Sequence, residues 1–272
     1  MKIWIDGVLS DAATARLSPF DHGFTVGDGV FETCKVVNGT AFALTRHLRR
    51  LSRSASGLGL PDPDHDVVRA AVAQTLAAEP SAGRLRITYT GGVGPLGSDR
   101  GDAGPTLVVA VAPEGVWETT TAVSTVPWTR NERSAVAGLK TTSYAENVVA
   151  LERAHAEGSS EAIFANTVGQ LCEGTGTNVF VVTDGRLLTP PLSSGCLAGI
   201  TRELVLEWTD ATEADLPLSA LAAADEAFLT SSTRDVQSIG FVDGKALPSG
   251  PGPLTLQAAK IFAERSAQTP DP

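Results

Sequence analysis

Hydrophobic and polar positions alternate in several short runs of the chain and recur at a period near 3.6 in others, which divides it into strands and helices. Residues 2–9 (KIWIDGVL) read as a strand ending near a turn at Asp6-Gly7. Residues 23–37 read as an extended segment closed by Asn38-Gly39, a strong signal for a two-residue hairpin. A helix then opens at Thr45, with Leu48, Leu51 and Ala55 on one face and Gly57 and Gly59 as stop signals. Val67, Val68, Ala71, Val72 and Leu76 form the apolar stripe of a second helix over 63–78. Two β runs follow, 84–90 and 106–111, separated by a loop with six glycines (Gly91, Gly92, Gly94, Gly97, Gly101 and Gly104). That loop is too long for a hairpin turn, and loops of this kind often carry function.

Pro113-Glu114-Gly115 follows a finished strand and precedes a new run at 119–126, so a boundary is placed there, giving domains 1–115 and 116–272. The second part reads as helices near 144–156, 201–208 and 253–267, with strands at 161–165, 178–183, 227–230 and 236–242. The last five residues, QTPDP, are expected to fray. Hairpins mixed with helices predict two α+β units rather than a doubly wound parallel sheet.

Composition narrows the function classes. The chain has 272 residues, 42% of them hydrophobic, which is enough for a core without disulfides or metal. The formal charge of −10, with no Lys/Arg run, repels phosphate backbones and anionic lipid, so neither nucleic acid nor membrane is expected as a partner. Asp6 and Asp11 interrupt any signal-peptide core, and no stretch approaches 18 apolar residues, so a cytoplasmic location is expected. Cys34, Cys172 and Cys196 lie far apart and read as buried small hydrophobes. The four histidines (His22, His47, His65 and His155) form no ligand pair at helical spacing, so no metal is expected.

Several residues could carry chemistry. Lys140, in AGLKTTSYAENVVA, lies between a polar loop and a helical run, where a long amine can project inward and lose its proton for Schiff-base chemistry. Glu173, in QLCEGTGTNVF, sits on a tight turn into a buried strand, where a carboxylate could face a cationic ring nitrogen. Three segments could hold a phosphate. Gly199-Ile200-Thr201 opens a helix whose free N–H groups favour an anion. Ser231, Ser232 and Thr233 supply hydroxyls on a turn, and Arg50 could add full positive charge. The three glycines around Asp28 suit an active-site wall, although a bulged strand explains them as well.

Taken in order, HGFTVGDGVFETCKVVNG, TRHLRRLSRSA, GLKTTSYAENVVALERAHAEGSSEAIF, LCEGTGTNVFVV, LTPPLSSGCLAGITREL and ADEAFLTSSTRDV closely resemble the successive blocks of the fold-type IV pyridoxal-5′-phosphate enzymes, the class IV aminotransferases. The resemblance runs from about residue 3 to 245 and implies a small N-terminal α/β domain, a larger C-terminal pseudo-barrel domain, a cofactor at their interface and a homodimer. Carried over, Lys140 matches the Schiff-base lysine and Glu173 the partner of the pyridine nitrogen. Arg50 matches the phosphate-binding arginine, and Ile200 and Thr201 match the helix start that cradles the phosphate. Ser232 stands where the family usually has a threonine, with Thr233 beside it.

Within the family, GDGVFETCKVVNG resembles the version found in D-amino-acid aminotransferases more than the branched-chain one. Those D-specific enzymes hold the substrate carboxylate with an Arg-x-His pair, where this chain has Leu96-Gly97-Ser98, and Phe31 replaces their tyrosine. Arg100, Arg16 or His22 could substitute. The GGVGPLG loop also resembles that of aminodeoxychorismate lyases. The resemblance therefore implies a transaminase exchanging an amino group between a D-amino acid donor, with (R)-primary amines also accepted, and a 2-keto acid acceptor. A 4-amino-4-deoxychorismate lyase releasing pyruvate and 4-aminobenzoate is the alternative.

Overall fold

The computed structural model describes all residues, 1–272, as two compact units. The first comprises Met1–Gly115 together with Leu139–Tyr144 and Pro270–Pro272, and the second Val116–Gly138 and Ala145–Thr269. This differs from the single cut at 115/116 expected from sequence: the segment carrying Lys140 belongs to the first unit. Backbone pairing decides it, because Lys140 O accepts from Phe31 N (3.0 Å), Thr142 N donates to Gly29 O (2.8 Å), and Thr141 bridges Val30 in antiparallel fashion.

The first unit contains β1 (Lys2–Ile5), β2 (Val8–Asp11), α1 (His22–Thr25), β3 (Gly29–Val37), β4 (Thr40–Ala41), α2 (Leu44–Gly57), α3 (His65–Ala78), β5 (Arg84–Thr90) and β6 (Thr106–Ala112). Its strands pair in the order β2-β1-β6-β5-β3-β4, all antiparallel. Strand side chains alternate across the sheet, so Val30, Cys34 and Val36 of β3 and Leu85, Ile87 and Tyr89 of β5 join Leu48 and Leu51 of α2 and Val68 and Val72 of α3 in one core. The alternate positions, Phe31, Thr33, Arg86 and Thr88, occupy the face opposite α2 and α3. Residues 23–37 do not form one extended segment as expected. Asp21 caps the short α1 by accepting from Gly23 N, and the strand begins only at Gly29.

The expected fraying of QTPDP is not found. Ala43 precedes α2 in a left-handed conformation (φ 53°) with no side chain that can cap the helix. The cap comes from the far end of the chain: Asp271 accepts from Thr45 N (2.8 Å) and from Thr45 Oγ1 (2.5 Å), and Arg46 Nε donates to Pro272 O (3.0 Å). Asp271→Ala is expected to destabilise the protein by about 1 kcal/mol, read as a lower denaturant midpoint with an unchanged slope.

The second unit adds β7 (Thr120–Arg130), α4 (Ala145–Ala156), β8 (Glu161–Asn166), β9 (Leu171–Gly174), β10 (Asn178–Thr183), β11 (Arg186–Thr189), α5 (Ile200–Trp208), β12 (Thr212–Glu213), α6 (Ser219–Ala222), β13 (Glu226–Ser231), β14 (Asp235–Val242), β15 (Lys245–Ala246) and α7 (Pro253–Gln268). Its nine strands run β12-β11-β10-β13-β14-β7-β8-β9, with β15 on β14. The sheet is mixed, since β14/β7, β7/β8 and β11/β12 are parallel. Strand β8 is buried throughout, as a strand covered on both faces must be. Its Ala162 and Phe164 pack with Ala150 and Ala154 of α4, and its Ile163 with Val179, Val181 and Leu229. The expected strand at 119–126 continues through Pro127 to Arg130 across a break in register, which places Arg130 opposite Asn166 at the end of β8.

No helix is long and apolar enough to cross a membrane. The three cysteines are free and buried.

Candidate functional site

Lys140 is fixed by its backbone. Its N–H donates to Ser54 Oγ of α2 (3.1 Å) and its carbonyl accepts from Phe31 N of β3 (3.0 Å), while Thr142 Oγ1 and Ser143 Oγ donate to Gly27 O (2.9 and 3.0 Å). The segment 139–144 thereby extends the sheet beside Phe31, and the half-buried amine reaches the same face: Lys140 Nζ lies 4.4 Å from the centre of the Phe31 ring. Arg86 Cζ lies 3.6 Å from that centre, and Tyr144 meets the ring edge-on at 5.4 Å.

On the opposite face β3 carries a charge into the core. Glu32 falls in register with Val30 and Cys34, is fully buried, and receives Arg50 through two hydrogen bonds, Nε to Oε1 (2.8 Å) and Nη2 to Oε2 (2.6 Å). His47 Nδ1 donates to Glu32 Oε2 (2.7 Å), since a carboxylate can only accept. Burial by itself would raise the Glu32 carboxyl, but the Arg50 guanidinium and the bonds from Arg50 and His47 outweigh it and hold the group at about 2. Burial, aided by the charges of Arg50 and Lys140, lowers His47 despite the Glu32 carboxylate beside it, which favours the neutral imidazole. Arg50, read from sequence as a phosphate ligand, therefore has two of its donors committed to Glu32. The sequence did hold a signal for this: a carboxylate at an inward position of VFETCKV must be paired.

The glycine-rich loop 91–105 folds back on its own unit. Gly92 leaves no room for a side chain, because a Cβ there would stand 1.8 Å from Gly104 O at a left-handed φ of 73°. Arg100 closes the loop, donating twice to Asp28 (2.7 Å each) and to the carbonyls of Gly59 and Leu58 (2.8 Å each). His22 is wholly buried, with Nε2 2.9 Å from Pro95 O. Arg16 is turned to the carbonyl of Ala15 (2.9 Å). All three proposed stand-ins for the carboxylate pair thus have partners within the first unit: Asp28 fills the fork of Arg100, Arg16 turns to the Ala15 carbonyl, and burial closes off His22. Phe31 does line the Lys140 face.

In the second unit, Glu173 pairs with Phe164 across β8/β9. Its Oε2 accepts from Leu197 N (2.9 Å), and its Oε1 lies 3.2 Å from Arg130 Nε. Arg130 also donates to Glu146 (2.7 Å) and Asn147 (3.0 Å) and stacks on Phe164 at 4.1 Å. Sequence reading did not find Arg130, because nothing in VPWTR signals that the strand continues past Pro127. Two residues beyond Leu197, Gly199 begins α5 with no side-chain cap, leaving the N–H groups of Ile200 and Thr201 outside the helix ladder. A Cβ at Gly199 would stand 2.0 Å from Asn178 Oδ1, so the helix start is pressed against β10. Asn178 pairs with Thr230 of β13, and the turn Ser232–Thr233 follows directly. Leu197 joins Glu173 to β10, since its N–H is on Glu173 and its carbonyl accepts from Asn178 Nδ2 (2.9 Å), which brings the carboxylate and the uncapped helix start together.

The family model of the class IV amino-transferases matches residues 29–240. A putative branched-chain-amino-acid aminotransferase of Methanocaldococcus jannaschii is 31% identical over 262 residues, covering 91% of this chain and 90% of the relative. A bifunctional aminodeoxychorismate lyase / D-amino acid transaminase of Mycobacterium tuberculosis is 31% identical over 297 residues, covering 97% and 96%. The crystal structure of a branched-chain aminotransferase from Thermoproteus uzoniensis superposes with a TM-score of 0.90 at 30% identity, covering 97% of this chain and 94% of that one. Matched over most of its length in sequence and in fold, the chain belongs to the class IV aminotransferases, the fold-type IV enzymes that use pyridoxal 5′-phosphate.

Proposed function

We propose that the protein transfers an amino group between a D-amino acid and a 2-keto acid, and that Lys140 is the residue that carries the cofactor. The observation behind this reading is the placement of Lys140: an amine set beside Phe31 on a segment pinned by main-chain bonds.

The residues fit the cofactor chemically. The uncapped N–H groups of Ile200 and Thr201 suit a phosphate, as do the hydroxyls of Ser232 and Thr233, and the family resemblance would have Arg50 add a positive charge. The Glu173 carboxylate, held by Leu197 N and Arg130, suits a protonated ring nitrogen. When bound, the cofactor supplies an aldehyde carbon and an electron sink. The chain's part is to hold it, to fix the Glu173 carboxylate through Leu197 N and Arg130, and to use Lys140 first as the attachment point and then as the base that moves the proton at the substrate Cα.

The donor class rests on the GDGVFETCKVVNG block and on relatives named as D-amino acid and D-alanine aminotransferases. The lyase reading is kept because the Mycobacterium relative carries both names. Half-reactions of the holoenzyme with D-alanine, D-glutamate, L-leucine and (R)-1-phenylethylamine, run beside pyruvate release from aminodeoxychorismate, separate these readings. Bleaching of the visible band is expected to be fastest with a D-amino acid. Pyruvate formation without amino transfer, or preference for L-leucine, would reverse the assignment.

A further inference from the structure

The arginines of this protein that approach other side chains mostly meet an acid. Arg50 is paired with Glu32, Arg100 with Asp28, Arg130 with Glu146 and Glu173, and Arg202 with Glu213. In a chain with 31 acidic residues against 21 basic ones this is the expected outcome.

Arg86 is different. It is exposed, its one side-chain hydrogen bond is a long one from Nε to Thr88 Oγ1 (3.3 Å), and no carboxylate lies within ion-pair distance. Its orientation is nonetheless set, because Phe31, one strand over and diagonal to it in the β3/β5 register, receives the guanidinium on its ring at 3.6 Å. The same ring bears Lys140 Nζ at 4.4 Å, so the two cations stand no more than about 8 Å apart on one sheet face. A guanidinium stacked on an aromatic keeps its N–H fork in the ring plane direction and open for a planar anion.

We infer that Arg86 binds the carboxylate of the amino-acid and keto-acid substrates, with Phe31 as the platform that aims it, in place of the ligands missing from the Leu96–Ser98 loop. The assignment rests on the reading of the chain as an amino-acid transaminase. It also explains why Phe31 needs no hydroxyl: the ring orients the arginine and leaves the anion to it. Arg100 is excluded from this part by Asp28, and His22 by burial.

The test compares Arg86→Leu and Arg86→Lys with wild-type holoenzyme. For the amino-acid donor that wild type uses fastest, Arg86→Leu is expected to lose about 30- to 100-fold in kcat/KM, mostly through KM, because one charge-assisted pair is lost. Arg86→Lys, which keeps charge without the fork, should fall between the two. With (R)-1-phenylethylamine, which has no carboxylate, both variants should stay within threefold of wild type. Binding of propionate, followed by calorimetry, should weaken in Arg86→Leu by the same factor as the donor. Equal losses for amino acid and amine, or unchanged propionate binding, would overturn the assignment. If no amino acid is turned over at all, the function proposal fails while propionate binding still decides the role of Arg86.

Discussion

Lys140→Ala is expected to lower amino transfer by about 10⁴-fold or more and to abolish the visible absorption of the holoenzyme that borohydride would otherwise alter. The size follows from the loss of two roles with one amine, covalent attachment of the cofactor and proton movement at the substrate Cα; groups that act as a unit are not replaced by their neighbours. The fold should not change, since the bonds that hold the segment, Lys140 N to Ser54 Oγ and Phe31 N to Lys140 O, belong to backbone and to other residues. The unfolding midpoint should therefore stay within about 0.5 kcal/mol of wild type. Lys140→Arg serves as the companion, because its guanidinium keeps the charge on Phe31 but stays protonated and cannot act as nucleophile or base. Activity in either variant above a tenth of wild type would refute the role.

Glu32→Gln is expected to be the most destabilising single change in the first unit, at about 3–5 kcal/mol, because it leaves the Arg50 guanidinium buried against a neutral amide. The double variant Glu32→Leu with Arg50→Met should recover most of that loss, since replacing both charges removes the uncompensated one. A denaturant double-mutant cycle measures the coupling, and additive losses would show that the pair is not the cause.

The same cluster sets the acid limb of the stability curve. The folded Glu32 carboxyl sits near 2, below its ordinary value of about 4.5, so the unfolded chain binds its proton first. Its contribution, about 3 kcal/mol at neutral pH for a shift of that size, is complete above pH 4.5 and is lost as pH falls toward 2. His47 acts earlier. Its folded value lies below the ordinary 6.5, so the unfolded chain takes up that proton more readily and stability begins to fall below about pH 6.5. In Glu32→Gln the lower limb should flatten, while the unfolding midpoint of wild type continues to fall down to pH 2.

Most regular elements were legible because their periods are local. The stripe Val68, Ala71, Val72, Leu76 needs no partner to be recognised, and β5 begins and ends where the run 84–90 does. Elements of two to four residues such as β9, β12 and β15 left no mark, since a period cannot be read from so few positions. The C-terminal residues misled for a related reason: Pro and Asp read as solvent-facing, and nothing nearby in sequence shows that α2 starts at an alanine that cannot cap it.

The candidate site divides in the same way. Lys140, Glu173, Thr201 and Ser232 stand out through ordered motifs, because each needs a particular residue type at a particular point of strand, turn or helix start. Their surroundings depend on which faces meet. Alternation on β3 sends Glu32 toward Arg50 and Phe31 toward Lys140, and the pairing of 139–144 with β3 moves Lys140 into the first unit. Arg100 and Arg86 stand in the same stretch of sequence, on either side of the glycine-rich loop's start, yet Asp28 takes the one and an aromatic ring holds the other. The sequence alone determined the family and the residue types its chemistry needs, since these are written in contiguous blocks. Only the tertiary structure decided which charges are already paired, because an ion pair spans strands and helices far apart in the chain.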